Sequence, residues 1–226
     1  MSEIGHWIWT TTIFGNSYAF NLDTIFTMWF AMSVLIVVAY CVSRKLSLEP
    51  NKMQAVSEGI MKFFLSNTNG QTKHIPLVAS LFLFILFANL MGQLPLRIIH
   101  LKAGELASPT NDINLTAGLA LIVLVYYVTC GIRAKGSKFF LHEISVQGII
   151  MMLVEFLEMI TRPLSLAIRL FANVFAGEIL VSIMLGLFAY FLPLPIMLFE
   201  LLVAFIQATV FMMLTITYIS SAEGEH

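Results

Sequence analysis

Three long stretches of this chain contain no aspartate, glutamate, lysine or arginine, and each is long enough to cross a lipid bilayer as a helix. They cover residues 24–43, 75–96 and 113–132. A helix needs about 20 apolar residues to cross a hydrocarbon core of about 30 Å. The chain is 59% hydrophobic and only 11% charged, so it lacks the polar residues that a water-soluble surface requires. We therefore expect an integral membrane protein.

A further apolar region, residues 147–190, is about twice as long as one crossing. As a single helix it would measure about 66 Å, so we expect it to tilt strongly or to break. Pro163 can kink it and Gly186 can end it, while Pro193 and Pro195 predict a turn before a last apolar run over residues 196–220. Residues 147–220 are therefore predicted to form a long, tilted antiparallel hairpin.

Together these segments predict an all-α integral membrane protein with about five membrane-crossing helices and one interfacial amphipathic helix. Residues 1–226 form a single membrane domain, with an external N-terminal tail over 1–21 and a first span over 22–44. The interfacial helix covers 51–66, and further spans cover 75–96 and 113–132. In the interfacial helix, Val56, Ile60, Phe63 and Phe64 recur at helical spacing opposite Lys52, Gln54, Glu58 and Lys62.

The basic residues of the loops predict the orientation in the membrane. Two loops on one side carry eight lysines and arginines, whereas the opposite side carries only Arg97 and Lys102. The eight are Arg44, Lys45, Lys52, Lys62, Lys73, Arg133, Lys135 and Lys138. By the positive-inside rule the N-terminus is external and the C-terminus is cytoplasmic, or lies on the equivalent side of an organellar membrane.

Several other functions are disfavoured by composition and motifs. With 12 Lys plus Arg against 13 Asp plus Glu, no basic face is available for nucleic acid. Cys41 and Cys130 lie in separate apolar runs and are interpreted as small core residues.

The pair His142-Glu143 lacks the second histidine of a zinc-binding HExxH motif, so neither a metal nor a cofactor is expected. We interpret His74 as an interfacial or loop residue and Glu223 as part of a solvated end.

Charged side chains within the apolar hairpin are the main functional signal. They are Glu155, Glu158, Arg162, Arg169, Glu178 and Glu200. An arginine at mid-bilayer costs about 2.5–3.5 kcal/mol on insertion scales, so it normally faces protein or water. Glu155, Glu158 and Arg162 lie near a helix entry, where reaching to the headgroups is an alternative to an ion path. For Arg169 the alternative is a structural ion pair with one of the glutamates.

Helical spacing divides the polar residues of the hairpin into faces. Ser165, Arg169 and Asn173 share a face at i, i+4 spacing, whereas Glu178 points the opposite way from Arg169, about 13 Å along the axis. Glu200 and Gln207 share a face of the last helix. In an antiparallel hairpin we expect Gln207 near Arg169 and Glu200 near Glu178. The two glutamates would then form a proton relay, while the permanently charged arginine acts as an electrostatic gate.

Short motifs in the same region resemble subunit a of the F-type ATP synthases. The segment RPLSLAIRLFAN at residues 162–173, followed by AGE at 176–178, carries the resemblance. Further similarity appears in PTNDIN at 109–114, NL at 89–90, LP at 94–95, IQA at 206–208 and LTITYI at 214–219. The resemblance extends from about residue 21 to the C-terminus.

The resemblance implies a stator against which a ring of c subunits turns, each c subunit carrying an essential carboxylate. Arg169 matches the essential arginine of the family, which separates two offset aqueous half-channels. Asn173, Glu178, Glu200 and Gln207 match the external half-channel, with Asp112 near its mouth, while Ser165, Glu155 and Glu158 belong nearer the cytoplasmic one. The implied partners are the c ring, the peripheral-stalk b subunits, the rest of the complex and membrane lipid. No ATP chemistry and no cofactor are expected on this chain.

Two positions depart from the family pattern, and other functions stay open. Ala172 replaces a usual glycine, and Glu200 stands where many bacterial relatives carry histidine. The coupling ion is a proton or sodium. The main alternative is a secondary cation/proton transporter with a buried Arg/Glu site, although no internal repeat supports it. An intramembrane enzyme and a passive scaffold are the further alternatives. A bacterial cytoplasmic membrane is the expected location, with an organellar inner or thylakoid membrane as the alternative.

Overall fold

A computed structural model of the chain describes residues 8–13, 16–44, 52–68, 72–93, 108–136, 146–187 and 193–224. Six helices make up most of this part: α1 Leu22–Ser43, α2 Lys52–Asn67, α3 Ile75–Gln93, α4 Ile113–Lys135, α5 Val146–Leu187 and α6 Pro193–Glu223. All except α2 are long and apolar enough to cross a membrane. The predicted all-α membrane architecture with five crossing helices is therefore confirmed.

Two short strands precede α1, within the segment that the sequence predicts to be a tail. The strands β1 Ile8–Ile13 and β2 Asn16–Asn21 pair antiparallel, with Ile8 opposite Asn21 and Ile13 opposite Asn16. Residues 8–13 read Ile-Trp-Thr-Thr-Thr-Ile, and such β-branched side chains favour strands. The second strand passes directly into α1 at Leu22.

The long apolar region forms one unbroken helix. α5 contains 42 residues and continues through Pro163, so of the two predicted outcomes, a strong tilt or a break, the break does not occur within the helix. Pro193, predicted to mark a turn, instead begins α6, because the first position of a helix does not need the N–H that proline lacks. At 1.5 Å per residue α5 is about 63 Å long, so it cannot stand upright within the hydrocarbon core.

The core lies where α3, α4, α5 and α6 meet. Its fully buried side chains include Val78 and Ile85 of α3, Leu170 of α5 and Phe211 of α6. α5 and α6 contact each other, but α6 packs more extensively on α3 and α4, and α5 packs mainly on α4. Each helix of the hairpin is therefore anchored on the rest of the bundle.

Some side chains of the short helix α2 pack on the bundle, and others are exposed. Phe64 packs edge-on against Phe82 of α3, with ring centres 5.4 Å apart. Val56 and Ile60 are exposed, and Gln54, predicted on the polar face, is buried. Phe64 of the predicted apolar set thus packs on α3, while Val56 and Ile60 of the same set stay open to lipid, which is compatible with the predicted interfacial helix.

Candidate functional site

A cavity of about 210 Å³ lies between α3, α5 and α6. Its polar lining comes from Asn89 of α3, Asn173 and Glu178 of α5, and Glu200 of α6. This volume is well above what one water molecule needs, so the cavity has room for water. Glu178 and Glu200, which the sequence predicts to be neighbours, thus face a common polar space within the apolar bundle.

Glu178 is held by the short 3₁₀ turn Pro109–Asn111, which precedes α4. Nδ2 of Asn111 donates a hydrogen bond of 2.7 Å to Oε2 of Glu178. The turn is itself fixed to α3, since Oγ1 of Thr110 donates to Oδ1 of Asn89 at 2.9 Å. Oγ of Ser108 donates to the carbonyl of Ala88 at 3.1 Å. One wall of the cavity is therefore positioned by hydrogen bonds between the turn and α3.

Glu200 enters the cavity across the bare backbone of Gly177. A Cβ atom at position 177 would lie only 2.8 Å from Oε1 of Glu200. Any side chain there would therefore displace the carboxylate. Glycine at this position lets α5 and the Glu200 side chain approach closely, while the carboxylate stays half-buried.

Three buried polar atoms near this cavity have no hydrogen-bond partner within the described part of the chain. They are Nδ2 of Asn89, Oδ1 of Asn111 and Oε1 of Glu200. Leaving a buried polar group unsatisfied costs about 1–3 kcal/mol, so native proteins rarely keep such atoms dry. The three atoms include donor and acceptor types, which suits a hydrated path better than an apolar packing site.

Arg169 lies outside the cavity, on a surface of α5 that no other described helix covers. The side chain is exposed, and among the described residues it makes neither a hydrogen bond nor an ion pair. The alternative of a structural ion pair with a glutamate therefore has no support in the described residues. Its exposed neighbours on α5 form what we call the α5 stripe: Thr161, Leu164, Ser165, Ile168 and Ala172, together with Arg169 itself.

Asn173 connects the α5 stripe to the cavity. It lies four residues after Arg169, on the same helical face, and it lines the cavity together with Gly177. Four residues correspond to about 6 Å along the helix axis. The cavity thus begins one turn from Arg169, although Glu178 itself faces the other way.

The remaining predicted residues have separate surroundings. Gln207 of α6 is 7% exposed and does not line the cavity. It makes no hydrogen bond to Arg169 in the part of the chain described. Asp112 caps α4 by accepting from the backbone N–H of Asn114 at 2.9 Å, and its Oδ2 accepts from Nδ2 of Asn21 at 2.8 Å. The side chain of Glu155 and the loop cations Lys45, Arg97, Lys102 and Lys138 lie outside the described residues.

Arg162 joins three helices rather than reaching away from the bundle. Its guanidinium pairs with Glu158 one turn earlier on α5. It also lies over the ring of Tyr218 of α6, 4.9 Å from its centre, and over Tyr127 of α4 at 5.6 Å. We call these four residues the arginine clamp. Its contacts support a structural role for Arg162.

A third polar group lies where α3 begins and α6 ends. His74 is 3% exposed, its Nδ1 is 3.0 Å from the hydroxyl of Tyr126, and its Nε2 is 3.2 Å from Oε2 of Glu223. Nζ of Lys73 donates to Oε1 of Glu223 at 2.8 Å. The interpretation of His74 as a loop residue and Glu223 as a solvated end is therefore wrong, because tertiary packing brings together residues about 150 positions apart.

Asn89 and Asn111 contribute to the site without having been predicted as site residues. Both lie in the short segments that carry the family resemblance, NL at 89–90 and PTNDIN at 109–114. Asparagine is common near helix ends and in turns, so nothing in the local sequence marks either residue as part of a functional site. Only the packing of the turn Pro109–Asn111 against α3 and α5 brings them to Glu178 and the cavity.

Two comparisons with known proteins identify the family of this chain. Residues 25–220 match the protein family described as ATP synthase A chain. An ATP synthase subunit a from Gloeobacter violaceus (strain ATCC 29082 / PCC 7421) is 42% identical to the chain over 210 residues. The alignment covers 90% of this chain and 85% of the relative. The matched range contains Arg169, the cavity residues and the arginine clamp.

Proposed function

Since this chain belongs to the ATP synthase A chain family, we propose that it is the membrane stator of an F-type ATP synthase. In this role it provides two offset half-channels that carry protons, or sodium ions, to and from carboxylates on a ring of c subunits. Ion flow through them drives rotation of the ring and thereby ATP synthesis in the rest of the complex. The chain itself performs no ATP chemistry.

The exposed and unpartnered Arg169 is the observation that carries this proposal. A guanidinium remains charged at any accessible pH, and placing it within lipid is costly. Among the described residues it has no partner and no helix covers it. A carboxylate on a ring that passes along the α5 stripe would supply the missing partner. The attraction would ionise each carboxylate in turn as it reaches Arg169.

The cavity between α3, α5 and α6 is proposed as the half-channel on the external side. Protons would pass along Glu178 and Glu200 and reach the ring near Asn173, one turn from Arg169. The residue Gln207 is proposed to extend the polar path along α6, and Asp112 to lie near its mouth. Because the transmembrane field does work of about 2.3 kcal/mol per charge and 100 mV, a direct leak would waste the gradient. The positive charge of Arg169 opposes such a leak.

The cytoplasmic half-channel is proposed to pass Ser165, Glu155 and Glu158. Ser165 is exposed one turn before Arg169 on the same stripe. The carboxylate of Glu158 pairs with Arg162 and is half-exposed, so it can still contact water. This path approaches Arg169 from the opposite end of α5 to the cavity. The two paths therefore meet at the arginine without joining.

We place the protein in a bacterial cytoplasmic membrane, with an organellar inner or thylakoid membrane as the alternative, and with the N-terminus external. In the described part, Lys52, Lys62, Lys73 and Arg133 lie on α2 or at the end of the bundle where α6 terminates. At the other end of the bundle, the hydrogen bond between Asn21 and Asp112 joins the N-terminal ends of α1 and α4. The proposed partners are the c ring, the peripheral-stalk b subunits and membrane lipid.

The substitution Arg169→Ala in the assembled complex tests the proposed function. We expect ATP-driven ion pumping into vesicles to be abolished both with and without sodium, because no cation remains to separate the half-channels. The matched control is Arg133→Ala, which removes another exposed arginine, near the end of α4, and should leave pumping intact. Retained coupled pumping by Arg169→Ala would overturn the proposal. Solute transport by the chain without a ring would favour the secondary transporter instead.

A further inference from the structure

The side chains of His74, Cys130 and Glu223 point to one another from three elements that are far apart in the sequence. One ligand atom from each lies within 4.8 Å of the other two. His74 and Cys130 are 3% and 5% exposed, and Glu223 is also largely buried, with its side chain 12% exposed. Imidazole, thiolate and carboxylate are the three kinds of side chain that bind zinc in proteins.

We propose that His74, Cys130 and Glu223 form a binding site for a divalent transition-metal ion of the zinc type. Three protein ligands leave a fourth position for water, as in open zinc sites. Zinc lies about 2.0–2.3 Å from nitrogen, oxygen and sulfur ligands, so tetrahedral donors are roughly 3.3–3.8 Å apart. The three donors lie within 4.8 Å of one another, so they need to approach by about 1.5 Å at most, which side-chain rotations can supply.

The surroundings of His74 orient its ring for such a site. The hydroxyl of Tyr126 is 3.0 Å from Nδ1, so Nδ1 can carry the ring proton and donate it to the hydroxyl. In that tautomer Nε2 offers a lone pair, and a metal ion would take the place of its 3.2 Å contact with Oε2 of Glu223. Metal-binding histidines in proteins are commonly held by a second hydrogen bond of this kind. Tyr126 also interacts with the thiol of Cys130, one turn later on α4.

The charges also balance in this buried environment. A dication together with the Cys130 thiolate, the Glu223 carboxylate and a neutral imidazole has no net charge, and binding releases the thiol proton to solvent. Lys73 bonds to Oε1 of Glu223 and leaves Oε2 facing His74. The Lys73 side chain is 67% exposed, so its ammonium group lies toward solvent rather than between the ligands. A soft thiolate ligand favours zinc over calcium or magnesium.

A bound metal would fasten the last turn of α6 to the beginning of α3 and to α4. Glu223 is the last residue of α6, His74 directly precedes α3, and Cys130 lies on α4. The site is independent of Arg169 and of the cavity, and its existence does not depend on the proposed ion path. It can therefore be tested by binding alone.

Cobalt(II) is a suitable probe, because a cobalt–thiolate bond produces a charge-transfer absorption. The assembled complex in lipid nanodiscs is freed of metal with a chelator and titrated with Co²⁺. We expect a thiolate charge-transfer band that saturates at one equivalent, disappears on adding Zn²⁺ and is absent from Cys130→Ser. The matched control is Cys41→Ser, which removes the other cysteine and should leave the band unchanged. Cys41 is exposed, so its interpretation as a core residue is wrong.

Further variants separate a metal site from a merely structural cluster. Tyr126→Phe should weaken Co²⁺ binding by about 10–100-fold without removing the band, as expected for a residue that orients a ligand. In thermal unfolding, Zn²⁺ should raise the midpoint of the unsubstituted complex and not that of Cys130→Ser. A metal-free complex that gives no thiolate band with Co²⁺ overturns the proposal, as does a band that survives in Cys130→Ser.

Discussion

The cavity and the arginine clamp are both polar regions within an apolar bundle, but they differ in how their groups are satisfied. In the clamp, the charge of Arg162 is compensated by a carboxylate and two aromatic rings, although its Nη1 atom has no hydrogen-bond partner among the described residues. At the cavity, Glu200, Asn89 and Asn111 each keep a buried polar atom without a partner among the described residues. The clamp therefore holds helices together, whereas the cavity has hydrogen-bonding capacity left for water or ions.

The same contrast distinguishes the two arginines of α5, which are seven residues apart. Arg162 is partly buried and fixed by α4 and α6, while Arg169 is exposed and unpartnered in the part of the chain described. The sequence places Glu158 one turn before Arg162 and only apolar residues next to Arg169, but it does not show which of the two side chains the folded bundle covers. A partly buried charge that is neutralised within the chain, like that of Arg162, indicates a structural role. An exposed charge without a partner among the described residues, like that of Arg169, favours contact with another subunit.

Replacing Glu200 by glutamine gives the largest effect after loss of Arg169. We expect Glu200→Gln to lower proton pumping by at least about 100-fold, the lower end of the range for removing a positioned acid or base. Because Oε1 of Glu200 has no partner to lose, the thermal unfolding midpoint should not fall. The measurements are ATP-driven acidification of vesicles and thermal unfolding of the same preparation.

Thr209→Val is the matched control for Glu200→Gln, because it also removes a polar side chain from α6. The hydroxyl of Thr209 bonds only to the carbonyl of Phe205 in its own helix, so pumping should be unchanged. If Glu200→Gln pumps at the unsubstituted rate, the assignment of the cavity as a proton path is wrong. A fall in unfolding midpoint would instead show that Glu200 stabilises the fold.

Replacing Arg162 by methionine tests whether the arginine clamp stabilises the fold. Arg162→Met keeps most of the side-chain volume but removes both aromatic contacts and the pair with Glu158. Two cation–π contacts in a partly buried setting are worth about 2 kcal/mol together, and the exposed pair adds little. We expect the free energy of unfolding to fall by that amount. Tyr218→Phe keeps the ring and should cost much less, so equal losses in both variants would contradict the clamp.

A smaller effect is expected from Glu223→Gln, measured in metal-free buffer. The amide keeps the shape of the side chain but weakens the contact with buried His74, which should lower the free energy of unfolding by about 1 kcal/mol. Lys73→Ala, at an exposed position, should leave the unfolding midpoint unchanged. A larger loss in Lys73→Ala than in Glu223→Gln would show that the buried histidine is not the important partner.

Much of the fold could be predicted because its signal is local. The length of the uncharged runs is enough to identify the crossing helices, since each run must bury its backbone within lipid. The spacing of Ser165, Arg169 and Asn173 likewise places them on one face without any tertiary information. The strands over Ile8–Asn21 also carried a local signal in the β-branched residues of β1, which the prediction of a tail overlooked.

The partners of the polar groups could not be predicted, because they depend on contacts between distant segments. Asn111 reaches Glu178 across 67 positions, and His74 reaches Glu223 across 149. The antiparallel hairpin correctly suggested that Glu200 lies near Glu178, since both are close to the same turn. It did not foresee that Gln207 would be buried, because α6 packs mainly on α3 and α4 rather than on α5.

The passage of α5 through Pro163 has a mechanical consequence. Proline lacks an N–H, so the carbonyl of Met159 has no backbone hydrogen bond from position 163. α5, the longest of the described helices, therefore lacks one hydrogen bond near its middle. A sideways load on α5, of the kind that the proposed ring of c subunits would exert, would bend the helix first at this point. Arg162 is adjacent to this proline and contacts both α4 and α6. These side-chain contacts restrain α5 where the backbone hydrogen bond is missing, so a force on α5 can be transmitted to the rest of the bundle.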